Sequence, residues 1–280
     1  MDRSTNREIF RDTQRMYGSH PVLRDAVGEA TRAQRIVLET DALPRQDRER
    51  YAENASLIVS KKRTMEAAAA YAGQKVAVLN FASASNPGGG VENGANAQEE
   101  CLCRVSTLYP SLNSTEPWKM FYNPHRAARD PIHNDDIIYT PGVIVFKTDT
   151  DEPSLMPEAN WYSVDVITCA APNLNPNASE RYNPGDGGEI SLNFTEQKEV
   201  HGKRLRRILE VALSEGAEVV VLGAFGCGAF RNDPKAVAEA SFSVIGDYLH
   251  AFRTVEFAIY CPPGREENYI TFSEIGQKMV

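Results

Sequence analysis

Glu99 and Glu100 are adjacent acids that follow a glycine triplet, Gly88, Gly89 and Gly90, in the run PGGGVENGANAQEE. A carboxyl group beside a sugar can give a proton to a leaving oxygen and later take one from water. Seven residues, Val91 to Ala97, separate Gly90 from Gln98. The acids then fall near the start of a helix, where the helix dipole also favours them. Adjacent helical side chains point about 100° apart. The pair therefore does not suit the layout in which two carboxylates flank one glycosidic bond from opposite sides. It suits one acid/base with a neighbour that grips hydroxyls. Acids that simply complete the first turn of a helix are the plain alternative.

The second candidate is GAFGCGAFRNDP, Gly223 to Pro234, directly after the strand-like EVVVL. A glycine-bearing loop between a strand and a helix brings backbone N–H groups close to a ligand and can hold a diphosphate without a lysine. Tight turns required by helix–sheet packing are the competing explanation. The loop is not GxxxxGK[ST], and Gly223, Gly226 and Gly228 lack the GxGxxG spacing. Cys227 among these glycines invites a nucleophile reading, but no local pattern supplies a base. Arg231 is the nearest anion-binding candidate.

Other chemically capable residues are scattered. The five histidines, His20, His125, His133, His201 and His250, show no metal-ligand spacing. Cys101 and Cys103 form a lone CxC with no second pair, so no metal and no cofactor is expected. Lys203, Arg204, Arg206 and Arg207 form a basic run whose simplest reading is a solvated helix face; its rival is a docking surface for an anionic polymer. The acidic stretch 149–158 reads as a surface loop. The polar run 113–136 reads as an ordered loop or insertion, part of which can border a pocket.

These residues need a scaffold of 280 residues, enough to bury a core without staples. Apolar residues make up 42% and charged ones 24%, with a formal net charge of -8, which argues against a general nucleic-acid surface. No run approaches a membrane span, and the first residues lack the apolar stretch of a signal peptide. Five unevenly spaced cysteines do not suggest a disulfide framework, so a cytoplasmic monomer is expected. The first sixty residues read as helical, notably 22–43, with a connector from residue 53 leading to a helix that ends near Gly73. Strands are expected at 76–82, 142–148, 161–172, 218–225 and 255–262. Helices are expected at 95–112, stopping near Pro110, and at 194–217 and 232–252, with a long loop at 173–193. Asn232 or Asp233 can cap the last helix, with Pro234 in its first turn. Strands that alternate with helices define an α/β sandwich with a parallel or mixed sheet, whose ligands sit beyond the carboxyl ends of the strands.

PGGGVENGANAQEE, read with VLNFASASNPGGG and GAFGCGAFRNDP, resembles the signature of the poly(ADP-ribose) glycohydrolases, in particular their compact bacterial branch. The resemblance implies a macrodomain, a three-layer α/β/α sandwich around a mixed sheet, at residues 65–280, with an N-terminal helical extension at 1–64 packed on it. It implies that Glu100 is the catalytic carboxylate and that Glu99 positions ribose hydroxyls. Gly88, Gly89, Gly90 and Val91 would belong to the catalytic loop, ordered by Gln98. Asn86 or Ser83 would contact ribose. Gly223, Ala224, Phe225, Gly226, Cys227, Gly228 and Ala229 would hold the diphosphate, and Phe230 would pack on the terminal ribose. The substrate would be poly(ADP-ribose), free or on ADP-ribosylated proteins, cut mainly from the chain end to release ADP-ribose. Enclosure beneath the glycine loop, with Glu99 alongside, would raise the pKa of Glu100. Two other functions fit the same pocket: a non-catalytic ADP-ribose-binding module, and a hydrolase removing ADP-ribose from a protein or nucleic-acid acceptor.

Overall fold

The computed structural model describes residues 2–175 and 190–279. Most of the expected 173–193 loop lies outside them. Seven strands build one sheet: β1 (Arg35–Val37), β2 (Ser56–Ser60), β3 (Val76–Phe81), β4 (Ile137–Val145), β5 (Tyr162–Cys169), β6 (Val219–Leu222) and β7 (Thr254–Ala258). Their order is β1-β4-β5-β3-β6-β7-β2. The β5-β3-β6-β7-β2 portion is parallel, and β4 runs antiparallel to both β1 and β5.

The central strands are apolar throughout because both faces are covered. Val76 and Val78 of β3 face one core cluster, while Ala77 and Leu79 face the other. Val219 and Val221 of β6 divide from Val220 and Leu222 in the same way. Burying each Val or Leu side chain contributes about 1.5–3 kcal/mol. On one face lie α8 (Phe194–Ser214), α9 (Pro234–Ile245) and α10 (Glu267–Met279). On the other lie α1 (Arg3–Ser19), α3 (Thr64–Ala69), α4 (Gln98–Val105) and α5 (Leu108–Leu112). Helix α2 (Pro21–Ala33) follows α1. The result is the expected α/β/α sandwich with a mixed sheet and N-terminal helices. No helix among the described residues is long and apolar enough to cross a membrane.

Several local expectations fail for identifiable reasons. The helix expected over 22–43 stops at Ala33, because Arg35–Val37 pairs with Tyr139–Ile137 as an edge strand. The connector from residue 53 contains β2, which runs beside β7. The two edges of the sheet are thus both supplied by the first sixty residues, which are not wholly helical. The helix expected over 95–112 breaks at Ser106, which bridges to Val145. Pro110 lies inside α5, where its missing N–H falls among donors that have no intrahelical partner anyway. The polar run 113–136 is largely helical, through α6 (Thr115–Pro117), a π-turn at Trp118–Tyr122 and α7 (Asn123–Ala128). Helix α10 had no sequence expectation. Asp233, not Asn232, caps α9 by accepting from the Lys235 N–H at 2.8 Å.

Candidate active site

Strand β3 ends at the glycine loop, and α4 returns behind it with both acids in its first turn. Glu100 is 6% exposed. Its Oε1 accepts the Gly90 N–H at 2.8 Å and its Oε2 the Ala97 N–H at 2.9 Å. The second bond closes the start of the helix, so helix capping and loop holding are performed by the same carboxyl group. Glu99 is 3% exposed; its Oε2 accepts the Ser83 N–H at 2.7 Å and its Oε1 accepts from Asn80 Nδ2 at 3.3 Å. The two side chains leave the helix in different directions yet converge on one point. A Cβ on Gly89, whose φ is 58°, would stand 2.5 Å from Glu100 Oε1 and 3.1 Å from Glu99 Oε2. Only glycine leaves that space open.

Burial drives the Glu99 carboxyl well above the ordinary range, and the Glu100 charge adds to it; the Ser83 amide and Asn80 pull the other way. Gln98 does not face a reacting atom. Its amide donates to Leu79 O and Thr64 Oγ1 at 2.8 and 3.0 Å, and its Oε1 accepts the Phe81 N–H at 2.9 Å, which ties the end of β3 to the start of α3.

The second loop follows β6 and is gripped from behind by Asn232, which is 2% exposed. Its Nδ2 donates to Pro172 O at 2.7 Å and to Gly226 O at 3.0 Å. Its Oδ1 must then accept, so the His201 Nε2 at 2.8 Å carries the proton. Burial lowers the His201 pKa to about 4, which keeps it neutral at pH 7. Asn175 donates to Ala229 O at 2.9 Å, and Leu174 N–H to Phe230 O at 2.9 Å, so the segment that follows β5 braces the same loop. Burial raises the Cys227 thiol pKa, and the Asp233 charge adds to it, the reverse of what a nucleophile requires.

Both loops open on one cavity of about 980 Å³. Ser83, Gly89, Gly90, Gln98, Glu99 and Glu100 line it from the first loop and α4; Ala224, Gly226, Cys227, Gly228, Ala229 and Phe230 line it from the second. Gly88, Asn86, Val91, Gly223 and Phe225 stand outside that lining. Gly88 abuts Tyr109, and Gly223 abuts Phe81 and the Ala258 carbonyl. Val91 is fully buried. Phe225 packs on Phe81 at 5.4 Å. Asn86 Oδ1 accepts from Arg126 Nη2 at 2.7 Å.

Sequence reading missed another part of the cavity lining, against α4, where Thr64 meets Gln98 and Arg63 meets Cys101. There the Arg63 guanidinium lies 3.7 Å from the centre of the Tyr260 ring, with Thr64 and Asp149 beside it. Asp149 was expected on a surface loop; it is 6% exposed and accepts the Met65 N–H at 3.0 Å. No local motif marks these residues, since three separate segments assemble them. In the basic run of α8, Lys203 and Arg206 are exposed as expected, and Arg204 is not. Arg204 is 2% exposed and donates to Asp135 Oδ1 at 2.8 Å and Ala170 O at 2.7 Å. Lys203 pairs with Asp135, Arg206 with Asp247, and Arg207 with the Leu38 and Asp41 carbonyls.

A mixed-sheet α/β/α sandwich with two glycine-bearing loops at its carboxyl edge and a buried carboxyl pair behind the first has the architecture of a macrodomain. Known proteins narrow the class. The microbial-type PARG catalytic domain matches residues 11–148. The poly(ADP-ribose) glycohydrolase from Thermomonospora curvata is 32% identical over 97% of this chain and 99% of its own, with a TM-score of 0.77. The same enzyme bound to the inhibitor ADP-HPD gives 34% identity, the same coverage and a TM-score of 0.77. The Deinococcus radiodurans poly(ADP-ribose) glycohydrolase in complex with ADP-ribose is 31% identical over 90% of this chain and 97% of its own, with a TM-score of 0.72. No curated protein matches significantly. The chain belongs to the bacterial-type poly(ADP-ribose) glycohydrolases, and is therefore a hydrolytic enzyme.

Proposed function

We propose that the protein hydrolyses the ribosyl–ribose O-glycosidic bond at the end of a poly(ADP-ribose) chain, releasing ADP-ribose, with Glu100 as acid/base. The observation that carries this reading is the point facing Gly89, where both carboxyl groups meet within the cavity. The order of the strands supports the orientation of the ligand. The carboxyl pair lies beyond β3, the second loop beyond its neighbour β6, and Tyr260 beyond the next strand, β7. ADP-ribose has the same linear order: ribose, diphosphate, adenosine. The scissile ribose then meets Glu99 and Glu100, the diphosphate meets the backbone of Ala224 and 226–229, and adenine meets the Tyr260 ring.

Glu100 gives its proton to the oxygen of the departing ribose as the C1–O bond breaks, and positive charge develops on the ribosyl ring. The diphosphate held next to it stabilises that charge. The Glu100 carboxylate then takes a proton from water as the water oxygen bonds to C1, and ADP-ribose leaves. Glu99 grips the ribose hydroxyls. Substrates are the free polymer and ADP-ribosylated proteins, met by a monomer in the cytoplasm, where five free thiols persist.

The test is turnover of defined polymer beside ADP-ribose calorimetry for wild type and E100Q. E100Q is expected to lose about 10²–10⁴ in rate while its ADP-ribose affinity stays within about tenfold, roughly 1.4 kcal/mol. Near-normal hydrolysis by E100Q removes Glu100 from the chemistry. Early products should be monomeric ADP-ribose; abundant oligomers at low turnover contradict the chain-end reading. Wild-type binding without polymer turnover would point to another leaving group.

A further inference from the structure

Helix α1 buries three side chains, Asn6, Phe10 and Thr13. Their spacing of four and three residues places them on one helical face. Each grips a different part of the frame around Glu100. Asn6, 1% exposed, donates from Nδ2 to the Gly94 carbonyl at 3.1 Å. Phe10 meets Tyr109 edge-on at 5.0 Å. Tyr109 in turn fills the space a Gly88 side chain would need, and its hydroxyl donates to Glu92 at 2.7 Å. Thr13 Oγ1 donates to the Arg104 carbonyl at 2.5 Å, and the Arg104 guanidinium donates to Ala95 O at 2.6 Å and to Asn96.

The contact at Gly94 is the tightest. Gly94 has a φ of 74°, and a Cβ there would stand 2.1 Å from the Arg3 carbonyl oxygen. The helix start therefore lies directly on the turn VENG. That turn is continuous with the reacting carboxyl group. The Gly90 carbonyl accepts from Asn93 and Ala95 N–H, and the N–H of the same residue donates to Glu100 Oε1. Lys147 locks the other side of α1, donating to Ile9 O at 3.2 Å and Asp12 Oδ2 at 2.8 Å. None of the three gripping residues lines the cavity.

We propose that α1 is a positioning strut for the catalytic loop, with Asn6 and Thr13 as positioning residues that hold the Gly90–Ala95 turn, and through it Glu100, in register with the scissile bond. A helix that only completes the core would lower stability when altered and leave turnover per folded molecule unchanged. A strut alters turnover while the second loop goes on holding ADP-ribose. Asn6→Asp keeps the shape of Asn6 but offers no N–H to the Gly94 carbonyl. Thr13→Val keeps the shape of Thr13 but offers no hydroxyl to the Arg104 carbonyl.

The inference rests on the glycohydrolase reading, so two readouts are used. Misplacement of a reacting group by about 1 Å can cost about 10²-fold; each variant, studied as folded full-length protein, should lose at least about tenfold in kcat. ADP-ribose affinity by calorimetry should stay within about threefold. Hydrogen exchange should accelerate at residues 88–97 and not at 223–230. A kcat within about twofold of wild type overturns the strut. So does a parallel loss of turnover and affinity with faster exchange at both loops. If one variant does not fold, the other decides. If wild type fails to cleave polymer, the glycohydrolase reading has failed, and local exchange in the variants still decides whether α1 holds the loop.

Discussion

At Glu99, burial and the Glu100 charge both oppose ionisation, so the folded protein holds this carboxyl neutral to a higher pH than the unfolded chain does. Between the unfolded and folded pKa values the native state binds more protons, and stability falls as pH rises through that window. E99Q removes the titration. Its amide can keep the Ser83 N–H bond through Oε1, and the Asn80 amide can turn to present Oδ1, which has no partner now. E99Q should therefore melt higher than wild type at pH 8, by about 0.5–2 kcal/mol, with the gap closing toward pH 4, while polymer turnover falls. Equal melting curves at both pH values would show that Glu99 carries no such cost. These acids and their glycines were legible in the sequence because seven contiguous residues hold their spacing. Asn80 was not legible, since an asparagine at the end of an apolar strand carries no signal until β5 places Thr168 beside it, 3.2 Å from its Nδ2.

Elements built from long local patterns were readable: β3, β5, β6, α8 and α9 lie where periodicity and caps put them. Elements made by distant partners were not. Arg35–Val37 is three residues long and follows good helix formers, so only β4 makes it a strand. Ser56–Ser60 is incompletely buried, as an edge strand is, and lacked the apolar continuity that marked its inner neighbours. The loop after β6 shows the same division. Its glycines were visible, but the clamp that shapes it was read only as a possible helix cap. Asn232→Ala would strip the bonds to Pro172 and Gly226 and leave the His201 N–H unpaired. The expected cost is about 1–3 kcal/mol in unfolding. ADP-ribose affinity should drop about tenfold, roughly 1.4 kcal/mol. Denaturant melts and calorimetry check the two values; unchanged affinity would mean that the loop keeps its shape without the clamp.

For the molecule as a whole, the first sixty residues are more than an appendage, because they close the sheet at both margins. Removing residues 2–60 deletes β1 and β2 and bares β4 and β7 as new edges. Unprotected edge strands pair with one another. The shortened chain should aggregate or fail to fold. A monomeric, cooperatively melting product, by sedimentation and circular dichroism, would show the remainder to be independent.

The pairing of β2 with β7 also sets a timetable for the nascent chain. Ser56 partners Thr254 and Ser60 partners Ala258, so β2 waits for a strand synthesised much later in the chain. Non-local pairing of this kind defers closure of the sheet. The acid-bearing loop is translated in the first half of the chain, and the loop after β6 in the second. A polypeptide still tethered before residue 254 has its carboxyl pair but not the strand that completes the cavity, so competence for the reaction waits for β7.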